Sequence, residues 1–397
     1  MKLLIVIVLL LGVAAIAQAV RVHELAKKLS GKKEEDIIVS DNNLNANLWL
    51  ASLAALLISF FYMIFRYKDA MLPEAASEHG VEIDILMDFN MWFVCIIFVV
   101  MNILLMVFAW KYRYQLGKKA YYYPHNDKLE MIWTVIPALT MAVIIIYGLI
   151  VWNDITDKEL AADSITIELY GKQFDWTVRY AGEDRVLGPS SFNFISGTNP
   201  LGIITPAIYE GALLAIDEEM ATLKKSLNED ILSASAQDKT EARIKRLQRQ
   251  KVRVLSFDKN NEEYVFAKDD IVMDKGVFYI PVNREVNFKI NSRDVIHSAF
   301  MPHFRMQMNA VPGMTTFFKM VPTITTAEMK LKTGNEEFEY LLLCNKICGA
   351  AHYNMKMTVK VVEQAEYDAW LIAQAKFDQP AAEPATMEET EVVTHNQ

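Results

Sequence analysis

Apolar residues gather in four blocks, 3–20, 48–65, 91–110 and 131–152, each close to the roughly 20 residues that a helix needs to cross hydrocarbon. Trp49, Trp92, Trp110 and Trp152 sit near block ends, where amphipathic rings favour the headgroup layer. From residue 164 the period changes to two. Ile165, Ile167 and Leu169 alternate with Thr166, Glu168 and Tyr170, and Val286, Phe288 and Ile290 repeat the pattern, as half-buried strands do. Further strand-like runs at 276–282, 315–320, 338–343 and 355–362 are separated by Gly, Pro and Asn, which predicts a β-sandwich or barrel. Residues 206–255 interrupt it. Leu213, Ile216, Met220, Leu223, Leu227 and Ile231 recur at helical spacing, a polar turn is expected over 233–238, and a charged helix resumes at 241–247. This predicts an inserted helical hairpin whose narrow apolar stripe either docks a partner or, more simply, covers the facing helix.

Charge orients the blocks. Segment 21–46 carries Arg21, Lys27, Lys28, Lys32 and Lys33, and segment 111–130 carries Lys111, Arg113, Lys118, Lys119 and Lys128; both are expected on the cytoplasmic side. The loop between the second and third blocks starts with Arg66 and Lys68 but is then acidic, with Asp69, Glu74, Glu78, Glu82, Asp84 and Asp88. Four spans with the amino terminus outside satisfy every loop and put everything after Trp152 outside. Lys2, the apolar run and Ala17-Gln18-Ala19 also look like a cleavable signal peptide, but cleavage would leave three spans and trap the rest inside, so retention is expected. The 397 residues allow two or three folded units, and 52% apolar residues exclude a purely soluble protein. A net charge of −9 gives no nucleic-acid footprint. Much of that charge lies in 363–397, where eight acids face only Lys376, and the part from Asp378 on, with Pro380 and Pro384, is expected to be disordered.

Three cysteines cannot make a disulfide framework. Cys95 lies in the third block and reads as a small apolar residue. The other two belong to Cys344-Asn345-Lys346-Ile347-Cys348-Gly349-Ala350-Ala351-His352-Tyr353-Asn354-Met355, with Asp294-Val295-Ile296-His297-Ser298 upstream. Cys344 and Cys348 have three readings: a disulfide, a structural zinc site, or copper, which thiolate and thioether ligands select. A disulfide leaves the His and Met spacing unexplained, and zinc has no need of Met355. In the copper reading two thiolates bridge two ions, one imidazole caps each, and Met355 sulfur and the Lys346 carbonyl are weak axial ligands. His303 is a rival ligand, with surface or packing roles as its alternative.

Both pieces resemble the dinuclear copper (CuA) motif of cytochrome c oxidase subunit II, in which an Asp-Val-Leu/Ile-His-Ser turn is completed by Cys-x3-Cys-Gly-x2-His-x2-Met. Leu129-Glu130-Met131-Ile132-Trp133-Thr134-Val135-Ile136-Pro137 is similar to the start of that family's second helix, and Gly171-Lys172-Gln173-Phe174-Asp175-Trp176 to its aromatic strand. The resemblance implies a transmembrane hairpin over 89–153 and a periplasmic cupredoxin-like sandwich over 163–365; the two helices with a cytoplasmic loop over 1–66 exceed that family's usual hairpin, and 206–255 is an insertion in the sandwich. A carboxyl-terminal helix and acidic tail would occupy 366–397. It implies two copper ions held by His297, Cys344, the Lys346 carbonyl, Cys348, His352 and Met355. They would receive electrons from a c-type cytochrome and pass them to haem in a catalytic subunit I that reduces oxygen and pumps protons, in a bacterial inner membrane with its lipid. Glu130 matches a carboxylate at the mouth of a proton-input path, although Asp127-x-x-Glu130 also reads as a helix-capping box.

Two departures stand out. Lys346 replaces the family's usual Glu, whose side chain reaches a magnesium or manganese ion, so that site is expected to be absent or rebuilt. Phe174 replaces the first Trp of the aromatic strand, where electrons arrive, while Trp176 is kept. An atypical donor contact follows, with a membrane-tethered cytochrome or a cytochrome domain of a larger complex as the candidates. Asp294 reads either as an attractor for a basic cytochrome or, more simply, as a solvated strand end. The competing functions are the same copper subunit in a nitric oxide reductase and a membrane-anchored copper-binding assembly protein.

Overall fold

A computed structural model describes residues 2–29, 39–157, 159–229, 233–274 and 276–377, with the side chains of 2–10, 27 and 28 left aside. The acidic tail from Asp378 lies outside the described residues. In chain order the elements are helices α1 (Lys2–Leu29), α2 (Val39–Met71), α3 (Glu78–Lys111) and α4 (Asp127–Thr156), then strands β1 (Ile165–Lys172) and β2 (Asp175–Tyr180). The hairpin α5 (Pro206–Glu229) and α6 (Ala234–Leu255) follows, then β3 (Ile271–Met273), β4 (Val277–Pro281), β5 (Val286–Ser292), β6 (His297–Met301), β7 (Met306–Ala310) and β8 (Thr316–Met320). Helix α7 (Thr326–Thr333), β9 (Tyr340–Cys344), β10 (Lys356–Val362) and α8 (Gln364–Ile372) complete the chain.

Among the described residues three helices, α2, α3 and α4, are long and apolar enough to cross a membrane, where four spans were expected. The first block is helical within α1, but the side chains of its first half lie outside the described residues, so it does not enter that count. The acidic loop expected over 66–90 is mostly helix, because α3 begins at Glu78. Contacts divide the chain into two units, one of residues 1–72 and 89–136, the other of 73–88 and 137–397. Segment 73–88 is thus part of the β unit: Arg305 grips Asp84 through two hydrogen bonds of 2.7 Å and donates to the Pro73 carbonyl at 2.6 Å, and Ala76 N–H donates to His303 O at 2.7 Å.

The β unit is a sandwich of two five-stranded sheets, ordered β3-β2-β1-β5-β8 and β4-β10-β9-β6-β7. Alternation explains the core between them. Ile167, Leu169, Val178, Phe288 and Ile290 from the first sheet meet Phe278, Ile280, Leu342, Val359 and Val361 from the second, all at most 1% exposed. The opposite face of β1 departs from the expected polar-out pattern. Glu168 is buried, because Arg179 on β2 donates to it at 2.6 Å and to Asp270 at 3.1 Å, and also to the Gly188 carbonyl, while Asn291 donates to the other Glu168 oxygen. A charged triad therefore fixes the segments that lead into and out of the hairpin.

In the hairpin, Ile216 and Met220 of α5 pack in one cluster with Leu247 and Val254 of α6, so the two helices cover each other. Arg243 clasps Glu219 through two bonds and Lys251 pairs with Asp217. The polar turn expected over 233–238 is shorter: α6 already starts at Ala234, with Ser233 as its cap accepting from Ala236 N–H.

Removing the cation from the triad leaves two buried carboxylates facing each other. Arg179→Met is expected to destabilise the β unit by about 3–5 kcal/mol, read by denaturant unfolding of the detergent-solubilised chain. Asp270 gives a pH signature. Burial, partly offset by Arg179 and the Gly188 N–H, raises its carboxyl from 3.8 to about 7. Over that interval the folded chain holds a proton that the unfolded chain has released, so this contribution is complete at the acid end and is lost as pH rises to about 7. The thermal midpoint of the wild type is expected to fall relative to Asp270→Asn across that window and to run parallel above it.

Candidate metal centre

The site forms where one end of the second sheet meets the β1–β2 turn. Strand β6 pairs with β9 so that Ala299 stands opposite Cys344, which sets His297 beside the last residue of β9. The connector to β10 then folds back on itself. Cys344 N–H donates to Met355 O at 3.1 Å, Asn345 N–H to Ser298 O at 3.0 Å, and Met355 N–H to His352 O at 3.2 Å. Gly349 has a φ of +144°, and a Cβ there would lie 2.7 Å from Phe174 Cε1. Only glycine lets the connector approach the turn so closely.

This folding brings the six expected donors into one cluster. Cys344 Sγ lies 3.8 Å from His297 Nδ1, 3.3 Å from the Lys346 carbonyl oxygen and 3.9 Å from Cys348 Sγ. Cys348 Sγ lies 3.6 Å from His352 Nδ1 and 3.8 Å from Met355 Sδ. His297, Cys344, Cys348 and Met355 are buried, whereas the Lys346 side chain is exposed. The donor atoms of His297, Cys344 and Cys348 all lie within 4.8 Å of one another.

The cysteines are free, and their sulfur separation is almost twice a disulfide bond length. Burial first, then the neighbouring Cys344 thiol, pushes the Cys348 thiol above its ordinary value. Two facing thiols of this kind lose their protons readily only to a cation placed among them. The donors offered to such a cation are mostly soft: two thiol sulfurs, two imidazoles, a thioether and one carbonyl. That set fits copper better than zinc, because a structural zinc site has no use for the thioether.

The surroundings hold His297 in one orientation. Its Nε2 faces Asp294 Oδ1 at 2.8 Å, so a proton there leaves Nδ1 bare toward Cys344. Burial alone would raise the Asp294 carboxyl, but hydrogen bonds from Gln173 N–H, His297 and Val295 N–H outweigh it and hold it below its ordinary value. Asp294 is thus more than an idle strand end: it is exposed yet held by three hydrogen bonds at the His297 turn. Trp176 is fully buried with its ring edge-on to His297, centroids 6.1 Å apart. Half-buried Phe174 packs on Gly349.

The remaining candidates lie elsewhere. His303 packs edge-on against Phe338 and Tyr340, which is a packing role and not ligation. Glu130 is exposed in the first turn of α4. The helix cap there is Asn126, whose Oδ1 accepts from Leu129 N–H at 3.1 Å, rather than the expected Asp127.

Comparison with known proteins agrees with this geometry. The family model described as cytochrome c oxidase subunit II, transmembrane domain, matches residues 52–151, and the one for the periplasmic domain of the same subunit matches 258–362. The alternative cytochrome c oxidase subunit 2 of Bradyrhizobium diazoefficiens is 26% identical over 326 residues, covering 82% of this chain and 92% of that protein. Cytochrome c oxidase subunit 2 of Cereibacter sphaeroides is 22% identical, covering 75% and 77%, and that of Thermostichus vulcanus 24%, covering 82% and 84%. Among solved structures, the periplasmic domain of subunit II of cytochrome oxidase of Bradyrhizobium japonicum covers 54% of this chain and 96% of its own, with 15% identity and a TM-score of 0.26. Neither family model reaches the helical hairpin or the first 51 residues. With both halves matched in order, and a soft-donor cluster in the second, the chain belongs to the cytochrome c oxidase subunit II family.

Proposed function

We propose that this chain is the subunit of a cytochrome c oxidase that takes up electrons from a c-type cytochrome and hands them to a haem-bearing catalytic subunit. The observation that carries the proposal is the pair of free thiols 3.9 Å apart, with one imidazole nitrogen against each. His297, Cys344, the Lys346 carbonyl, Cys348, His352 and Met355 would hold two copper ions. Copper bound there would accept one electron and release it again with little change in bonding.

The chain's own residues prepare that exchange. Asp294 keeps a proton on His297 Nε2 and so keeps Nδ1 open for metal. Cys344 and Cys348 are buried in the same apolar cluster as Trp176 and Met355, which limits solvent reorganisation when charge arrives. Exposed Ile347 and Tyr353, each 87% accessible, flank the ligands and offer an apolar contact for protein partners. Glu130, accessible at the start of α4, serves as a proton-input carboxylate for a pumping partner. The proposed setting is a bacterial inner membrane with the β unit on the periplasmic side, a reading supported by three membrane-length helices among the described residues and by the match to the periplasmic-domain model.

Cys348→Ser is expected to lower bound copper from two ions per chain to one or none, and to abolish the multi-line hyperfine pattern of an electron shared by two nuclei in electron paramagnetic resonance. A surviving dinuclear pattern would refute bridging by both sulfurs. Glu130→Gln is expected to slow steady-state oxygen consumption of the assembled oxidase several-fold while single-electron reduction of the copper centre keeps its wild-type rate. Equal turnover would remove Glu130 from the proton path.

A further inference from the structure

The β1–β2 turn touches both halves of the metal centre through one residue. Gln173 N–H donates to Asp294 Oδ2 at 2.7 Å, and Asp294 in turn holds His297 through its other oxygen. The side chain of the same glutamine reaches the other way, and Nε2 donates to the Cys348 carbonyl at 2.5 Å. Cys348 is 175 positions away in sequence and Asp294 is 121 away, so neither contact is local. The next residue, Phe174, packs against Gly349, where an added Cβ would also meet Gln173 Nε2 at 2.9 Å.

The connector depends on this contact. Its flanks are tied into the sheet by Cys344, Asn345 and Met355. Between residues 346 and 349 the Gln173 side chain supplies the one hydrogen bond from outside the connector among the described residues. Without it, the peptide that carries Cys348 keeps only the connector's own bond from His352 N–H to Gly349 O and the packing of Phe174 on Gly349.

We propose that Gln173 is a positioning residue for the metal pair: through its side-chain amide and its backbone N–H it locks the cysteine connector to the His297 turn before metal arrives. The proposal rests on the copper reading of the site. The side-chain bond fixes where Cys348 Sγ stands relative to Cys344 and His352, and the backbone bond fixes the carboxylate that orients His297. A preset arrangement lowers the cost of ordering the ligands on binding and restricts how far they relax when an electron arrives. Because the Asp294 contact uses backbone, substitution at Gln173 removes the cysteine half of the lock alone. Leucine keeps much of the packing but cannot donate; glutamate also sets a carboxylate against the Cys348 carbonyl oxygen.

The test uses the full-length chain in detergent, as wild type, Gln173→Leu and Gln173→Glu, each loaded with copper. Three quantities are measured: copper retention against a chelator, the midpoint potential of the copper centre by redox titration, and the thermal midpoint of the metal-free protein. The expected result is a loss of copper affinity of roughly 10- to 100-fold, larger for glutamate than for leucine, with a shifted potential and an unchanged metal-free thermal midpoint. Wild-type affinity and potential in both variants would overturn the proposal. So would a fall in affinity matched by an equal fall in metal-free stability, since that marks a general folding role. A wild type that takes up copper as a single ion, or takes up none, would instead overturn the copper reading and this inference with it.

Discussion

The donor cluster rests on two backbone hydrogen bonds that continue the pairing of β9 with β6 and β10. Asn345 N–H to Ser298 O and Cys344 N–H to Met355 O close the connector onto its own sheet, and they bring Cys344 within 3.8 Å of a histidine 47 positions earlier. Everything soft in the donor set follows from them. The side chains gather because the strands that carry them are paired, and the strands pair because alternating apolar residues seal the space between two sheets. Burial then acts back on the chemistry, since it disfavours free thiolates and so reserves the sulfurs for a cation.

The same logic of compensated burial recurs away from the metal. The Glu168–Arg179–Asp270 triad takes three charges out of water on the outer face of the first sheet. Gly188 and Asn291 supply further partners, but Asp270 Oδ1 is buried without one, which fits the upward shift of its carboxyl. The helical insertion is rooted there, and beyond its root it is self-sufficient, with its apolar stripe spent on its own partner helix. An insertion of this design adds mass to the sandwich without disturbing the register of β1 with β2 and β5.

Much of this was legible in the residues. Period-two alternation placed β1 and β5, strand-like runs between Gly, Pro and Asn placed β4, β8, β9 and β10 to within a few residues, and helical spacing found the hairpin. Strands β6 and β7 escaped because His297, Ser298, Gln307 and Asn309 break the apolar alternation at the metal end. Helix α7 escaped because it is only eight residues long, although Thr325 and Glu328 form a complete capping box. The burial of Glu168 was invisible for a different reason: its partner lies eleven positions away on the neighbouring strand, and pairing across strands is not written in local periodicity. The donor residues were legible because their spacing is short and their chemistry rare. Asp294 and Gln173 were not, since an acid and an amide near a strand end are common, and only the fold shows what they hold.

Lys346 shows how a backbone ligand separates two functions that a side chain would bind together. Its carbonyl points at Cys344 Sγ at 3.3 Å while its side chain is exposed. Any residue able to follow the connector's path presents that carbonyl equally well, so the soft-metal donor set tolerates substitution at this position. A hard cation beside the site depends instead on the side chain, because magnesium and manganese require oxygen donors and an ammonium has no lone pair to offer. Lysine at this position therefore offers its carbonyl to the cluster and no side-chain ligand to a hard cation. His297 opens β6 and Cys344 closes β9, and the connector from β9 to β10 carries the other four donors.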